Sequence, residues 1–499
     1  MTLNMPLDRI LLIAPPAFTG RLLRDINPFP PMGLGYLASM AESVGIQVQI
    51  LDCLMLGWNH EELEGGELVR VGLSDKEIQN YILRFKPNLV GVNCQFSKQH
   101  RIYHRMFSLV KELDPSIVVV AGGPHATVCP EAVLQDSNCD YLISGEGEYS
   151  FRDLIVAIRG GTGTAHIDGL GWKTGNSLHF NSKHELILDL DSLPFPAHHL
   201  MNLDKYFGLH EESHGIRHRK RFCPIITSRG CPANCTFCSA CKVWGDKYRM
   251  RSVENVLEEM RLLKSQYGIE EILFEDDNVT ANPKRAKLLF SRMIAEKLGF
   301  IWDTPNGAGV WSMDEEMIDL MKESGCISLN FPVESGSPRV LKQIIRKPLD
   351  LSRVRRLTRY CKKIGLRYSM YLVIGMPGEQ LSEMWESFRF AAECGCYSPH
   401  VSVATPYPGT QLHENCVKDG LFAAPFSLDN LSKGFLIKTT DWNEEDLRRL
   451  LLKGMLYLKV RNMLDNPYKI FEFIAKALMN PKRFVHICQD ILNSRWLRL

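Results

Sequence analysis

The first 160 residues alternate between short, mostly apolar runs and stretches with helical spacing. Residues 9–13, 47–51, 88–92 and 117–120 are the apolar runs. Runs of this length suit parallel strands covered on both faces. Residues 35–43 and 102–113 read as helices between them. The alternation predicts a doubly wound α/β (Rossmann-like) sheet, whose ligands sit beyond the carboxyl ends of the strands. Phe18 and Thr19, then Gln95, Phe96 and Ser97, then Gly122, Gly123 and His125 fall at such ends. The pattern breaks at residues 159–163. Residues 169–188 read as short strands with turns, and Leu193-Pro194-Phe195-Pro196 as a stiff linker.

A second alternating region runs from about residue 221 to about 416. Six strand candidates lie at 222–228, 271–275, 300–303, 326–332, 368–374 and 400–404. Between the first two, Val253, Val256, Leu257, Met260 and Leu263 form an apolar stripe at helical spacing. Six strand–helix units predict a partial (β/α)6 barrel, short of the full eight. The expected divisions are 1–165, a linker with short strands at 166–217, the barrel at 218–416, and a helical, basic region at 417–499. From residue 447 onward there are eleven Lys+Arg against three Asp+Glu, with Tyr457, Tyr468, Phe471, Phe473, Phe484 and Trp496 interspersed. The plainer reading is a helix packed on the barrel with its lysines in water. The other is peripheral contact with a membrane surface through this tail.

Composition narrows the class. At 499 residues, with 45% hydrophobic and 23% charged residues, the chain has material for about three domains. The formal charge is +2, from 59 Lys+Arg and 57 Asp+Glu, which disfavours a nucleic-acid partner held by a globally basic surface. No apolar run approaches the ~18–20 residues of a membrane span. The first eight residues lack the basic flank of a secretory signal. Fifteen cysteines, mostly single within apolar segments, do not suggest a disulfide framework. A cytoplasmic location is expected, with some cysteines reserved for metal.

The sharpest chemical signal is Cys231-Pro-Ala-Asn-Cys235-Thr-Phe-Cys238. Three thiolates within eight residues, directly after a strand, suit a [4Fe–4S] cluster and leave one iron without a protein ligand. Structural zinc takes four ligands, usually from two separated pairs. Cys241 adds a further C-x2-C step, so a four-cysteine site is the structural alternative.

The spacing C-x3-C-x-aromatic-C at Cys231, Cys235, Phe237 and Cys238 resembles the radical S-adenosylmethionine (SAM) superfamily. The resemblance implies that SAM chelates the open iron and is cleaved by one electron to methionine and a 5′-deoxyadenosyl radical. It also implies SAM contacts at the ends of later barrel strands. Phe237, Glu275, Asp276, Glu334, Ser335, Gly375 and Glu379 occupy those positions. Asp276 and Asp277 have a plainer reading, as caps of the next helix.

A doubly wound domain ahead of such a barrel resembles the cobalamin (B12)-binding radical SAM class. Met32-Gly33-Leu34-Gly35-Tyr36, Gly122-Gly123-Pro124-His125 and Gly145-Glu146-Gly147-Glu148 carry that likeness. The resemblance implies cobalamin contacts at Phe18, Thr19, Gln95, Phe96, Ser97, Gly122, Gly123, His125, Gly145 and Glu146. The D-x-H-x-x-G ligand motif of cobalamin methyltransferases is absent. Cobalamin is therefore expected base-off, with no histidine on cobalt and His125 as a loop or tail contact. The bland alternative is a degenerate Rossmann-like domain that binds nothing.

Within the class, Ser228-Arg229-Gly230-Cys231, Asp276-Asp277-Asn278 and Ser312-Met313-Asp314-Glu315-Glu316 resemble the phosphonate C-methyltransferases of fosfomycin-type pathways. The implied activity is C-methylation of an unactivated carbon, using two SAM through methylcobalamin and the deoxyadenosyl radical. The implied partners are a small-molecule or lipid-like substrate and an electron donor such as flavodoxin or ferredoxin. Alternative activities on the same scaffold are an oxidative cyclase or ring rearrangement without methylation, and tRNA methylthiolation.

Overall fold

The computed structural model describes residues 7–20, 26–65, 68–207 and 221–468. Its N-terminal strands are β1 (Arg9–Ala14), β2 (Ala17–Gly20), β3 (Gln47–Asp52), β4 (Glu61–Gly65), β5 (Leu68–Val71), β6 (Leu89–Asn93), β7 (Val118–Gly122), β8 (Tyr141–Ile143), β9 (Leu170–Thr174) and β10 (Ser177–Phe180). Seven of them form one sheet in the order β10-β9-β8-β7-β6-β1-β3. The pairs from β3 to β8 are parallel, whereas β9 and β10 add antiparallel at the edge. Successive side chains of a strand point to opposite faces. Leu11, Ile13, Val90, Val92 and Val119 accordingly join Ile78, Ile82, Ile102 and Phe107 in one core layer. Ile10, Leu12, Leu89, Val118 and Val120 join Leu34, Ala38, Phe151 and Leu154 in the other. Burial on both faces explains the unbroken apolar runs.

The segment after β1 differs from its sequence reading. Phe18 and Thr19 are not in a loop but on β2, in a three-stranded antiparallel sheet ordered β2-β5-β4. Their pairing partners Arg70 and Val69 lie about fifty residues away, so no local pattern marks them as strand.

Further along lie β11 (Phe222–Ile225), β12 (Ser228–Arg229), β13 (Arg249–Met250), β14 (Glu271–Phe274), β15 (Ile301–Asp303), β16 (Ser328–Glu334), β17 (Arg367–Ile374) and β18 (His400–Val403). The six expected barrel strands are β11, β14, β15, β16, β17 and β18. They pair in parallel as two sheets of three, β11-β14-β15 and β16-β17-β18. The first candidate strand ends sooner than expected, at Ile225, because the Thr227 amide donates to the Asp276 carboxylate instead of a ladder.

The chain divides into two compact units. One holds the N-terminal sheet together with β11–β15; the other holds β16–β18 and the C-terminal helix Glu444–Asp465. That helix buries Leu447, Leu450, Leu451 and Leu458, and Tyr457 lies 5.2 Å from Trp385 of the helix Leu381–Glu393. Its packing face fits the plainer reading of the basic region. Phe471, Phe473, Phe484 and Trp496 lie outside the described residues. No helix among the described residues is long and apolar enough to cross a membrane.

Candidate active site

The cysteine segment follows β12 directly. Gly230 sits at φ 81°, and a Cβ there would lie 2.5 Å from the Lys247 carbonyl oxygen. Glycine therefore lets the chain turn away from β13 just before Cys231. Cys231 and Cys235 are half-buried and Cys238 is exposed. The Cys238 amide donates to the Cys235 carbonyl at 3.0 Å. Thr236, between the last two cysteines, is buried. Its amide donates to Ile345 O at 3.0 Å and its hydroxyl to Ile344 O at 2.9 Å, while Leu412 N donates to its carbonyl at 2.8 Å. Phe237 is half-buried beside it. Cys241 is on the short helix Ala240–Trp244.

Among the described residues, no three His, Cys, Asp or Glu side chains are already gathered as a metal site. The donors' chemistry still fits an iron–sulfur cluster: three soft thiol ligands in one short, solvent-reachable segment. Cys53, Cys94 and Cys223, by contrast, are buried, and desolvation pushes their thiols up.

Two arginines brace the base of this segment. Arg229 and Arg249 are paired across β12 and β13, and both are buried. Arg229 donates to Glu146 at 2.8 Å and to Glu148 at 2.6 Å. Arg249 donates to both oxygens of Glu146 at 2.8 and 2.7 Å, and to Ile187 O at 2.8 Å. Glu146 also accepts from Ile187 N at 2.9 Å. The structure thus commits Glu146 to arginines that flank the cysteines.

At the end of β14, Glu275 is half-buried and its amide continues the ladder to Ile225 O at 2.9 Å. Asp276 is buried and accepts from Thr227 N at 2.8 Å, Thr227 Oγ1 at 2.7 Å and the Ser228 hydroxyl. It ties the strand end to the run leading into Cys231. It is not a helix cap: the next helix is Pro283–Ala295, and Asn282 Oδ1 accepts from Arg285 N at 3.1 Å. Burial and the charge of Asp276 lift the Asp277 carboxyl to about 6.

The second unit gathers another set of strand ends. Glu334 closes β16 at φ 68° and pairs with Lys347 at 2.8 Å, both side chains being buried. Ser335 is fully buried, and its hydroxyl accepts from Ser337 N at 3.2 Å. After β17, the Glu379 carboxylate folds back on its own turn. One oxygen accepts from Gly375 N at 3.0 Å and Met376 N at 3.1 Å, while Oε1 is buried with no partner among the described residues. Burial lifts this carboxyl to about 8, against the pull of the two amides.

In the N-terminal unit, the ends of β2, β6 and β7 converge. The Gln99 side chain holds the Phe18 backbone in both directions at 2.7 Å. The guanidinium of Arg101 lies 5.9 Å from the Phe18 ring centroid. Thr19 is buried. Gln95 and Phe96 are exposed, and the Phe96 amide and carbonyl both bond the Tyr103 hydroxyl. Ser97 and His125 are buried and share a hydrogen bond of 3.0 Å. Nε2 of His125 is buried and has no partner among the described residues, and desolvation lowers this imidazole to about 4. Gly122 ends β7. Gly123, at φ 101°, allows Asn93 and Cys94 a closeness that any Cβ would block. Gly145, from the next strand end, donates its amide to Thr127 Oγ1 at 2.9 Å. The convergence leaves an exposed aromatic and an exposed amide at the carboxyl edge of the sheet, with a buried imidazole against Ser97. Such a rim fits a large, flat, uncharged-faced cofactor.

Sequence reasoning named Arg229 only within a motif, with no role, and missed Arg249, Lys347 and Trp442. Arg229 stands two residues before Cys231, which is a usable signal. The others come from distant segments and carry none.

Comparison with known proteins identifies two modules. Residues 26–155 match the B12 binding domain and residues 225–391 the radical SAM superfamily. The chain is 34% identical over 455 residues to cytidylyl-2-hydroxyethylphosphonate methyltransferase of Streptomyces wedmorensis, covering 85% of each. It is 31% identical over 475 residues to an uncharacterized methyltransferase of Pyrococcus horikoshii, covering 95% of this chain and 97% of that one. In fold it resembles the radical SAM methyltransferase TsrM of Kitasatospora setae, solved with cobalamin and a [4Fe–4S] cluster. The TM-score is 0.67 at 20% identity, over 84% of this chain and 79% of that one. With a B12 module, a radical SAM module and this extent of identity, the chain belongs to the cobalamin-dependent radical SAM methyltransferases, enzymes whose cofactors are a [4Fe–4S] cluster, SAM and cobalamin.

Proposed function

We propose that this enzyme methylates an unactivated carbon of a small molecule, consuming two SAM per turnover. The observation that carries the reading is the pairing of an intact three-cysteine segment with a cobalamin-type strand edge in a chain 34% identical to a phosphonate-pathway methyltransferase. When bound, the cluster and SAM supply a hydrogen-abstracting radical and cobalamin supplies the methyl group. The chain's own residues do the holding. Cys231, Cys235 and Cys238 would ligate the cluster. Phe237, Glu275, Asp276, Glu334, Ser335, Gly375 and Glu379 would shape the SAM site. Asp276 acts by fixing Thr227 and Ser228. Phe18, Thr19, Gln95, Phe96, Ser97, Gly122, Gly123, His125 and Gly145 would line the cobalamin face. Glu146, held by Arg229 and Arg249, would support the run into Cys231 rather than touch cobalamin. The working division is 1–165 for cobalamin, 166–217 as connection, 218–416 for the radical chemistry and 417–499 as a helical addition.

The test is an anaerobic incubation with reductant, methyl-labelled SAM and a metabolite extract. The reading expects a product heavier by one labelled methyl, with S-adenosylhomocysteine and 5′-deoxyadenosine in near-equal amounts. Deoxyadenosine alone, with no methyl gained, would replace it by the cyclase or rearrangement alternative. The electron donor would be a small redox protein such as flavodoxin or ferredoxin, and the location cytoplasmic.

A second reading of the partner has its own observation. Leu456, Val460 and Leu464 stand exposed at four-residue spacing on the C-terminal helix. Such a row favours a lipid-like substrate or peripheral membrane contact. Flotation with anionic liposomes, lost in a triple Leu456, Val460 and Leu464 to Ser variant, would support it; no flotation would remove it.

A further inference from the structure

The family match ends at residue 391, yet a later residue reaches the turn after β17. The indole Nε1 of Trp442 donates to the Glu379 carbonyl at 2.9 Å, and Trp442 is 2% exposed. Trp442 is itself locked: its amide and carbonyl both bond Thr439, at 3.1 Å to and 3.2 Å from the hydroxyl. Leu447, one turn into the C-terminal helix, packs on Gly375 so closely that a Cβ there would sit 3.0 Å from its Cδ1. The turn is pinned from other sides as well. Arg339 donates to Gly378 O at 2.7 Å while paired with Glu383, and the Glu379 carboxylate holds the Gly375 and Met376 amides. All of these lie in one compact unit.

A short Gly-Met-Pro-Gly-Glu turn with two positive-φ glycines has many backbone states available to it. Contacts from behind restrict which face it presents. A phenyl ring at this position would lose the Nε1 bond and keep only part of the apolar fill.

We propose that Trp442 is a positioning residue for SAM: it fixes the backbone of the Gly375–Glu379 turn from behind, so that the C-terminal region tunes the affinity of the radical SAM site. The proposal rests on the reading that this turn contacts SAM. It acts through the turn, and the indole touches neither SAM nor the reacting atoms.

The test uses the full chain loaded with cluster and cobalamin. Trp442→Phe is compared with the parent and with Glu379→Gln, reading SAM binding by equilibrium dialysis, KM for SAM against kcat, and amide exchange at residues 375–379. Loss of one buried hydrogen bond predicts a dissociation constant and KM raised roughly fivefold, faster exchange at the turn, and near-parental kcat and cofactor content. Parental affinity in Trp442→Phe, with weakened binding in Glu379→Gln, would overturn this inference alone. Parental affinity in both would overturn the SAM role of the turn itself. A loss of cluster or cobalamin content in Trp442→Phe would mean a general packing role and would also overturn the inference.

Discussion

The carboxylate of Glu146 meets the Arg249 guanidinium at 2.8 and 2.7 Å, with the two side chains 0% and 4% exposed. Breaking one side of a buried pair leaves the other charge uncompensated, at a typical cost of ~3–5 kcal/mol. Glu146→Gln keeps the shape and removes the charge that also serves Arg229. Its expected effect is a loss of stability of that order in urea denaturation, together with poorer cluster retention, since both arginines flank the cysteine segment. Unchanged stability would mean that the arginines find other partners.

The three cysteines should be separable from the fourth. Changing Cys231, Cys235 or Cys238 to Ala should abolish the cluster's absorbance, its iron content and SAM cleavage. Cys241→Ala should retain all three, because Cys241 sits on the short helix Ala240–Trp244. If Cys241→Ala lost the cluster while one of the other three was dispensable, the ligand set would be wrong.

His125 makes two measurable statements. Its buried imidazole is neutral at neutral pH, since desolvation lowers it to about 4. Below the ordinary value of 6.5 the unfolded chain takes a proton that the folded one refuses, so this residue makes stability fall between about pH 6.5 and 4. His125→Gln should flatten that acid limb in denaturation measured across pH. Second, electron paramagnetic resonance of the cob(II)alamin form should lack nitrogen superhyperfine splitting. A splitting removed by His125→Gln would place the imidazole on cobalt.

Glu379 works in the opposite direction. Its carboxyl is raised from 4.5 to about 8 by burial, so between those values the folded protein keeps a proton that the unfolded chain has released. Stability should therefore decline as pH rises from about 4.5 to 8 and level off above. Glu379→Gln should remove this slope. A slope unchanged in the variant would mean the carboxylate is ionised in the fold and balanced by groups other than the two amides.

The order of elements and the three-cysteine segment proposed to hold the cluster were legible in the sequence by itself. Residues buried on both faces of a parallel sheet leave an unbroken apolar run, and ligands that share one turn must be near neighbours in sequence. Both are local facts. The six strand–helix units and the Cys231–Cys238 segment could therefore be placed before any coordinates.

What only the tertiary structure decided is where the charged and polar groups are spent. Glu146 looked like a ligand-facing loop acid, but Arg229 and Arg249, more than eighty residues later, occupy it. Phe18 looked like loop, yet β5 makes it strand. Asp276 had an even claim to capping a helix, and Thr227 and Ser228 took it instead. Trp442 gave no local sign of reaching Glu379. A buried carboxylate or amide must find a partner wherever the fold supplies one. That partner is chosen by packing across the sheet and between helices, and a sequence pattern that repeats every two or four residues does not carry it.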